Sequence, residues 1–278
     1  MKIFKVINNN MVSVKNNDGT ETMLKGLAIG YGAKPGDTVD ESKIEKRFIL
    51  ESKSVARKFN DIAVGIDKRI IDACVDVISE IISKSKEPLS NNLYLSIIDH
   101  VNILMDRMKE GYVFDNFVLW DLKRIYPDEY AIAKWAVQEL SNKLECDIPY
   151  DEASFLTLHI VSAEKGRTMQ NAYEETNTIN EIVEILGKHV PFKEEGNEYF
   201  YNRFITHVRY LVENKGNRIE GNHRRNNMML ETFTNAYPVL ANCVEEVNKY
   251  LIDKKKWSLS NDEKLYLIIH LVQFFHNK

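Results

Sequence analysis

The first fifty residues place apolar and β-branched side chains in short runs separated by polar stretches, a pattern typical of β-strands. The stretches between the first three runs are rich in Asn, Asp and Gly, which tolerate the positive φ of hairpin turns. The runs are residues 3–7, 11–15, 21–25 and 46–50. They predict a four-stranded antiparallel sheet in a domain of residues 1–55. So small a domain buries little core, and we expect it to pair with a second copy.

Beyond about residue 60, the apolar positions take the three-to-four-residue period of an α-helix. Prolines fall in the joins between the helical stretches. These stretches are residues 70–82, 93–108, 130–144, 152–164, 179–186, 199–214, 242–253 and 262–275. The fold class is therefore predicted as multidomain: a small antiparallel β domain followed by all-α, helical-bundle domains.

The helical part of the chain repeats itself. One set of residues matches at an offset of 111 positions and another at 107, so a four-residue change in length separates the two sets. The matched pairs include Tyr126 with Tyr237, Asp151 with Asp262, Glu152 with Glu263, His159 with His270, and His100 with His207. We therefore predict two copies of one helical domain, at residues 65–170 and 172–278.

Hydropathy and cysteine spacing predict the cellular location of the protein. No apolar run reaches the roughly 18 residues of a transmembrane helix, and the first ten residues turn polar too soon for a signal peptide. The three cysteines lie far apart and form no Cys-x-x-Cys pair, which fits a reducing compartment without a disulfide framework. We expect a cytoplasmic protein with no membrane insertion.

Charge is distributed unevenly. The whole chain has a net charge of −4, so an extended nucleic-acid-binding surface is not expected. Residues 1–55 nevertheless carry 9 Lys and Arg against 7 Asp and Glu, whereas residues 56–170 and 171–278 each have a negative net charge. Any site for nucleic acid is therefore expected to be local and to lie in the β domain.

Four histidines occupy two positions of the repeat: His100 with His207, and His159 with His270. A single histidine at an apolar helix position is most often a core residue, but packing alone would rarely retain both positions in two diverged copies. Reversible phosphorylation needs an accessible imidazole and groups that hold a phosphate. Plausible helpers on neighbouring turns are Asp99, Arg107, Lys165 and Arg209.

Two other chemistries remain as alternatives for these histidines. A metal site needs three or four ligands, usually at short spacing, and the sequence has no His-Glu-x-x-His motif. A hydrolase needs a nucleophile against a histidine, and no Gly-x-Ser-x-Gly elbow is present. We therefore predict no catalytic residues, no metal ligands and no cofactor, and a metal-dependent hydrolase stays as the enzymatic alternative.

The β domain gathers side chains suited to RNA around its turns. These are Lys5, Asn8, Asn10, Gly26 and Tyr31. Amides read base edges, lysine contacts phosphates, an aromatic ring stacks on a splayed base, and glycine admits close approach of the backbone. The alternative is structural: the asparagines form a hairpin turn and the tyrosine packs on the sheet.

These motifs together resemble the transcriptional antiterminators of the BglG/SacY/LicT type. The N-terminal resemblance rests on KVINNNMVSVKNNDGTE, the Gly-rich GYGAKPGD loop and the VDESKIEKRF segment, which look like the co-antiterminator RNA-binding domain. The two histidine-paired copies are similar to the two phosphotransferase-system (PTS) regulation domains that follow it in that family. The resemblance covers the whole chain in the same order.

The resemblance implies a function and partners. A homodimer would bind a hairpin in leader mRNA through Lys5, Asn8, Asn10, Gly26 and Tyr31, prevent a terminator from folding, and let transcription continue. Control would come from histidine phosphorylation by PTS proteins. The sugar-specific enzyme II would inhibit through the first domain, and the phosphocarrier HPr would activate through the second. The implied phosphorylation sites are His100, His159, His207 and His270.

One departure from the family pattern concerns RNA binding. The family usually has Gly-basic-Gly where this chain has Gly26-Leu27-Ala28, with Lys25 as the neighbouring cation that would substitute. The alternative function is therefore a PTS-regulated interaction module with weakened RNA binding.

Overall fold

A computed structural model describes residues 1–16, 19–50, 65–112, 121–192, 196–215 and 223–274. It separates into two compact units, Met1–Phe117 with Asp128–Met169 and Val118–Pro127 with Gln170–Lys278. The predicted end of the β domain at residue 55, part of the predicted turn at residues 16–19 and the last residue of the predicted helix at 262–275 lie outside the described residues.

The elements follow the predicted order of strands and then helices. The strands are β1 (Ile3–Asn8), β2 (Met11–Lys15), β3 (Glu21–Lys25) and β4 (Lys46–Leu50). The helices are α1 (Lys68–Lys84), α2 (Asn92–Glu110), α3 (Leu122–Ile125), α4 (Pro127–Leu144), α5 (Glu152–Glu164), α6 (Met169–Gly187), α7 (Glu198–Glu213), α8 (His223–Ala236), α9 (Pro238–Tyr250) and α10 (Asn261–Val272). None of these described helices is long and apolar enough to cross a membrane.

The sheet is antiparallel, with its strands in the order β1-β2-β3-β4, which confirms the four-stranded prediction. Alternate residues of a strand face opposite sides. Val12, Val14 and Leu24 lie on one side, where they form a small core with Ile29 and Val39 from the long loop.

The other side of the sheet packs against the first helical domain of the same chain. Met11 and Met23 belong to one core cluster with Ile70 and Cys74 of α1. At the edge of this contact the ammonium group of Lys25 forms an ion pair with Asp76. The small sheet therefore has apolar cover from the helices that follow it, in addition to its own core.

The two helical copies share unusual backbone conformations at matching positions. Tyr126 and Tyr237, each preceding a proline, both have φ −131° and ψ 64°. Glu145 and Lys256, each just past the end of its helix, both adopt positive φ, at 53° and 63°. These pairs are separated by the same 111 residues as the sequence repeat. The backbone therefore supports the predicted duplication.

Three features of the second unit differ from the sequence-based expectation. Helix α8 was not predicted, because its described residues are exposed or half-buried and its sequence lacks an apolar stripe. Helix α6 begins at Met169, ten residues before the predicted stretch at 179–186, because its first turns are mostly polar. After α9 the chain makes a π-helical turn, Leu251–Lys255, where an α-helix was expected.

Candidate phosphorylation sites and RNA-binding end

The first histidine pair converges between two packed helices. His100 lies on α2 and His159 on α5, and their ring centroids are 5.1 Å apart at an interplanar angle of 61°. The two residues are 59 positions apart in sequence, so the packing of α2 against α5 brings them together.

The second pair has the same arrangement on the equivalent helices. His207 lies on α7 and His270 on α10, with ring centroids 4.1 Å apart and an interplanar angle of 32°. The repeat positions singled out in the sequence are thus neighbours in both copies.

Each pair has one half-buried and one buried member. Burial lowers the pKa of His159 to about 3, with His100 as a second cause. Burial also lowers the pKa of His270 to about 4, assisted by His207 and Arg203. Both buried rings are therefore neutral at pH 7. A neutral imidazole keeps one nitrogen lone pair, which a phosphoryl acceptor requires.

A buried carboxylate organises the first pair. Glu152, at the start of α5, places Oε2 2.7 Å from Nε2 of His100, while Arg107 on α2 donates to its Oε1 at 3.1 Å. The helper Arg107 is therefore present at the site, acting through the carboxylate. The role of Glu152 was missed from sequence, although its match to Glu263 in the repeat was the available signal.

The second copy uses its equivalent carboxylate differently. Glu263 accepts from the backbone N–H of Ser260, whose side chain accepts from the N–H of Glu263, so the two close a capping box. His207 instead has the hydroxyl of Tyr266, 2.5 Å from its Nδ1. The residue equivalent to Tyr266 in the first copy is Phe155, whose ring centroid lies 5.5 Å from that of His100.

The remaining predicted helpers have other positions. Asp99 lies on the exposed side of α2, and Lys165 is half-buried directly after α5. Arg209 donates from Nε to Glu213 at 2.8 Å and from Nη1 to the carbonyl of Ile125 at 3.1 Å. Its guanidinium is thereby engaged in tying α3 to α7.

Three of the predicted RNA-contacting residues meet at one end of the sheet. The Gly26 N–H donates to the carbonyl of Asn10 at 2.9 Å, and the side-chain oxygen of Asn10 accepts from the N–H of Ala28 at 2.9 Å. Tyr31 follows in the same loop and is 75% exposed. Asn10 thus shapes the loop that presents the tyrosine.

Gly26 has a steric requirement of its own. A Cβ atom at this position would lie 1.6 Å from the carbonyl oxygen of Lys43. Any other residue would force apart the loop after β3 and the segment before β4. The fold therefore requires glycine at this position, whether or not the residue contacts RNA.

Comparisons with known proteins show to which family the chain belongs. The model of the CAT RNA binding domain matches residues 1–57, and that of the PRD domain matches residues 75–163 and again 176–274. The chain is also 37% identical, over 98% of both sequences, to the transcription antiterminator LicT of Bacillus subtilis (strain 168). The chain belongs to the family of CAT- and PRD-domain transcription antiterminators.

Another curated relative and a solved structure match the same family. The β-glucoside operon antiterminator of Dickeya chrysanthemi is 28% identical over 98% of this chain and 95% of its own length. The crystal structure of GlcT CAT-PRDI covers 59% of this chain and 97% of that chain, with a TM-score of 0.53 and 29% identity. These matches confirm the resemblance seen in the motifs. They also confirm the expectation that this antiterminator is a transcription regulator and not an enzyme.

Lys5 and Asn8 occupy β1 of the antiterminator. Lys5 is opposite Ser13 in the register, on the side of the sheet that also carries Met11 and Met23. Asn8 ends the strand, and its side chain is outside the described residues. No described contact therefore brings these two residues next to Tyr31.

The cation expected to replace the missing basic residue is engaged elsewhere. The side chain of Lys25 is only 11% exposed and pairs with Asp76, whose other oxygen lies 3.3 Å from Nζ of Lys143. Leu27, at the position where the family usually has a basic residue, is 74% exposed. The structure thus assigns Lys25 to the contact with the first helical copy.

Within the part of the chain that the structure describes, no group of three or more His, Cys, Asp or Glu residues is arranged to hold a metal ion.

Proposed function

We propose that this antiterminator binds a hairpin in leader mRNA as a homodimer and keeps an overlapping terminator from forming. The RNA-binding domain spans residues 1–55, and two regulation domains span residues 65–170 and 172–278. Phosphorylation of histidines in the regulation domains controls the dimer. The family membership of the whole chain supports this function, and the bound partners follow from the resemblance.

The observation that carries the regulatory part is the duplicated histidine pair. In each copy a half-buried and a buried imidazole adjoin on two packed helices, at 5.1 Å and 4.1 Å between ring centroids. We propose His100, His159, His207 and His270 as the phosphoryl acceptors. Repetition of the pair in two copies of differing sequence supports a shared chemical use.

The proposed donors are two proteins of the phosphotransferase system. Enzyme II of the cognate sugar phosphorylates the first copy and inhibits, while HPr phosphorylates the second copy and activates. We propose that both reactions take place in the cytoplasm, and we therefore place the protein there.

The charged groups around the histidines support opposite effects of phosphorylation in the two copies. A phosphoryl group adds about −1.5 to −2 charges at pH 7. At His100 this charge joins the carboxylate of Glu152, which already engages Arg107. At His207 it enters the field of Arg203, which acts on both histidines of the second pair. A cation close to the new phosphate favours charge-assisted bonds there.

RNA binding is proposed to use Lys5, Asn8, Asn10, Gly26 and Tyr31. The exposed ring of Tyr31 offers a stacking surface, and the loop that carries it is held by Asn10. Gly26 keeps that loop against the segment before β4.

The regulatory proposal is tested by mapping phosphohistidine on the full-length chain. The chain is incubated with phosphorylated HPr, or separately with phosphorylated enzyme II, and analysed by mass spectrometry under conditions that preserve the N–P bond. We expect HPr to label His207 or His270, and enzyme II to label His100 or His159. The exposed His189 lies outside both pairs, so His189→Ala is the matched control and leaves the labelling unchanged. Absence of phosphate from all four paired histidines contradicts the proposal.

The RNA proposal is tested by gel shift of the full-length chain with its own leader hairpin. Asn10→Ala or Tyr31→Ala should weaken binding by about 1–3 kcal/mol, the scale of one lost base contact or stack. Binding should also weaken steeply with salt. Tyr112, an exposed tyrosine in the first helical domain, supplies the control Tyr112→Ala. Equal affinity for wild type and both variants would place the RNA elsewhere.

One observation favours a second candidate, an interaction module with weakened RNA binding. Leu27 is exposed where the family has a basic residue, and Lys25 is paired with Asp76. The variant Leu27→Arg separates the candidates. A wild-type chain that ignores its leader hairpin while Leu27→Arg binds it supports the interaction module.

A further inference from the structure

We propose that the contact between the β-sheet and α1 is an autoinhibited state of the antiterminator. The side of the sheet that faces α1 is called the docked face, and it carries Met11, Ser13, Met23 and Lys25. When leader RNA is bound, the docked face leaves α1 and pairs with the docked face of a second copy. This inference rests on the proposed function and adds how the free chain is kept from binding RNA.

The two sides of the sheet differ in what covers them. On the side opposite the docked face, Val12 and Leu24 pack with Ile29 and Val39 from the long loop. This loop is part of the β domain, so that side has a core without any partner. The docked face is therefore the side left to pair with a second copy, a pairing expected of so small a domain.

The docked face is apolar at its centre. Met11 is 1% exposed and Met23 is 2% exposed, and both belong to the core cluster that includes Ile70 and Cys74 of α1. Because transfer of these side chains into water is unfavourable, a sheet that leaves α1 needs another apolar surface. Two stacked sheets lie about 10 Å apart, and α1 occupies this space in the free chain. Contact with α1 and contact with a second sheet therefore exclude each other.

The polar groups of the contact make it reversible. Lys25 is paired with Asp76, a carboxylate that also lies 3.3 Å from Nζ of Lys143. Ser13 is fully buried, yet its hydroxyl has no hydrogen-bond partner among the described residues. A buried hydroxyl without a partner is destabilising. The docked state therefore combines a stabilising ion pair with an unsatisfied polar group, and its release removes both.

Helix α1 also adjoins the helix that carries the first histidine pair's exposed member. It packs against α2, on which His100 lies, and the hydroxyls of Ser79 on α1 and Tyr94 on α2 are 3.4 Å apart. The autoinhibitory contact and the proposed inhibitory phosphorylation site are therefore on adjacent helices of one unit.

The docked and the paired states form an equilibrium that RNA shifts, because the hairpin binds only the paired state. The apparent affinity for RNA is reduced in proportion to the fraction of chains that are docked. A substitution that weakens the docked contact should therefore tighten RNA binding, even where the altered residue lies in the helical domain.

The first test is Asp76→Lys in the full-length, unphosphorylated chain. The variant places a third cation beside Lys25 and Lys143 and should release the sheet from α1. We expect its affinity for the leader hairpin in gel shifts to rise by about fivefold or more, the factor that one ion pair of about 1 kcal/mol represents. Sedimentation equilibrium without RNA should show a larger dimer fraction. The matched control is Asp106→Lys, which makes the same charge change at the exposed pair with Lys109 and should alter neither measurement.

The second test uses the wild-type sequence and does not depend on the folding of a variant. The full-length chain is labelled at the methyl groups of Met and Ile, and the signals are assigned with Met11→Leu and Met23→Leu. In the free chain we expect NOEs from both methionines to α1. Saturating leader hairpin should abolish these NOEs, while those between α1 and α2 persist as the control. In a mixture of differently labelled chains, the same methionines should gain NOEs to the second copy.

The outcomes separate the inference from the proposed function. NOEs from Met11 and Met23 to α1 that persist in the RNA-bound chain overturn the inference and leave the function intact. A folded Asp76→Lys chain that binds the hairpin no more tightly than the wild type does the same. Release of the docked face without NOEs to a second copy contradicts the proposed occupant. Failure of both the wild type and Asp76→Lys to bind the hairpin overturns the proposed function, and the inference fails with it.

Discussion

The two helical copies hold the same histidine pair on equivalent helices but surround it with different partners. In the first copy Glu152 and Arg107 engage His100, whereas in the second Tyr266 engages His207 and Glu263 closes a capping box. The difference begins just before the equivalent helices α5 and α10, where the first copy has Pro149 and the second has Ser260. A duplicated domain can therefore keep its paired histidines and change the side chains that contact them.

The largest effect is expected from removing the histidines themselves. His100→Ala or His159→Ala should relieve inhibition, so that antitermination persists without the inducing sugar. His207→Ala or His270→Ala should prevent activation wherever HPr control operates, because the second copy then accepts no phosphate. A transcription reporter with the four single variants measures this. A shift of all four in the same direction would show that the two copies do not divide the control.

The pH dependence of unfolding distinguishes the buried histidines. An unfolded histidine takes up its proton near pH 6.5, whereas the folded pKa is about 3 for His159 and about 4 for His270. Below pH 6.5 the unfolded chain binds more protons, so the free energy of unfolding falls as the pH falls. For His159 the loss is about 1.4 kcal/mol per pH unit and continues to about pH 3; the loss for His270 is smaller and ends near pH 4.

Urea unfolding at pH 7 and pH 4.5 checks this prediction. The variants His159→Gln and His270→Gln should both lose less stability between the two pH values than the wild type does. The two changes should be of similar size, because both folded pKa values lie below pH 4.5. A pH dependence identical to that of the wild type in both variants would mean that these rings are not held neutral by burial.

The equivalent glutamates should respond differently to removal. Glu152→Ala removes a buried carboxylate that engages both His100 and Arg107, and it should cost about 1–3 kcal/mol of stability. Glu263→Ala loses only a capping box and should cost about 1 kcal/mol, without an effect on His207. Denaturation midpoints of both variants test the contrast, which fails if the two variants lose the same stability.

The smallest effect concerns the contact between the first copy and the RNA-binding sheet. Asp76→Asn weakens the ion pair with Lys25 and should lower the stability of the first unit by about 1 kcal/mol. The matched control is Asp106→Asn, which removes an exposed pair with Lys109. Equal denaturation midpoints for the two variants would mean that the ion pair between Lys25 and Asp76 stabilises the protein no more than an exposed ion pair does.

Sequence reasoning predicted the strands, most helices and both histidine pairs, because apolar periodicity and an internal repeat report directly on packing. It missed α8, whose polar sequence carries no such period. It also missed Glu152 and Tyr266, because the contacts of these two side chains with the histidines are set only when the helices pack together. The pairing of Lys25 with Asp76 could not be foreseen for a similar reason, since Asp76 is distant in sequence and near in space.

The shared backbone at Glu145 and Lys256 has a consequence for engineering thermal tolerance. Both residues hold positive φ, a conformation that costs a residue with a Cβ about 1 kcal/mol relative to glycine. Because neither belongs to a histidine pair, Glu145→Gly and Lys256→Gly offer one stabilising substitution in each copy. The ancestral duplication thus marks two places where heat resistance can be added symmetrically, while the signalling chemistry of each copy is left as it is.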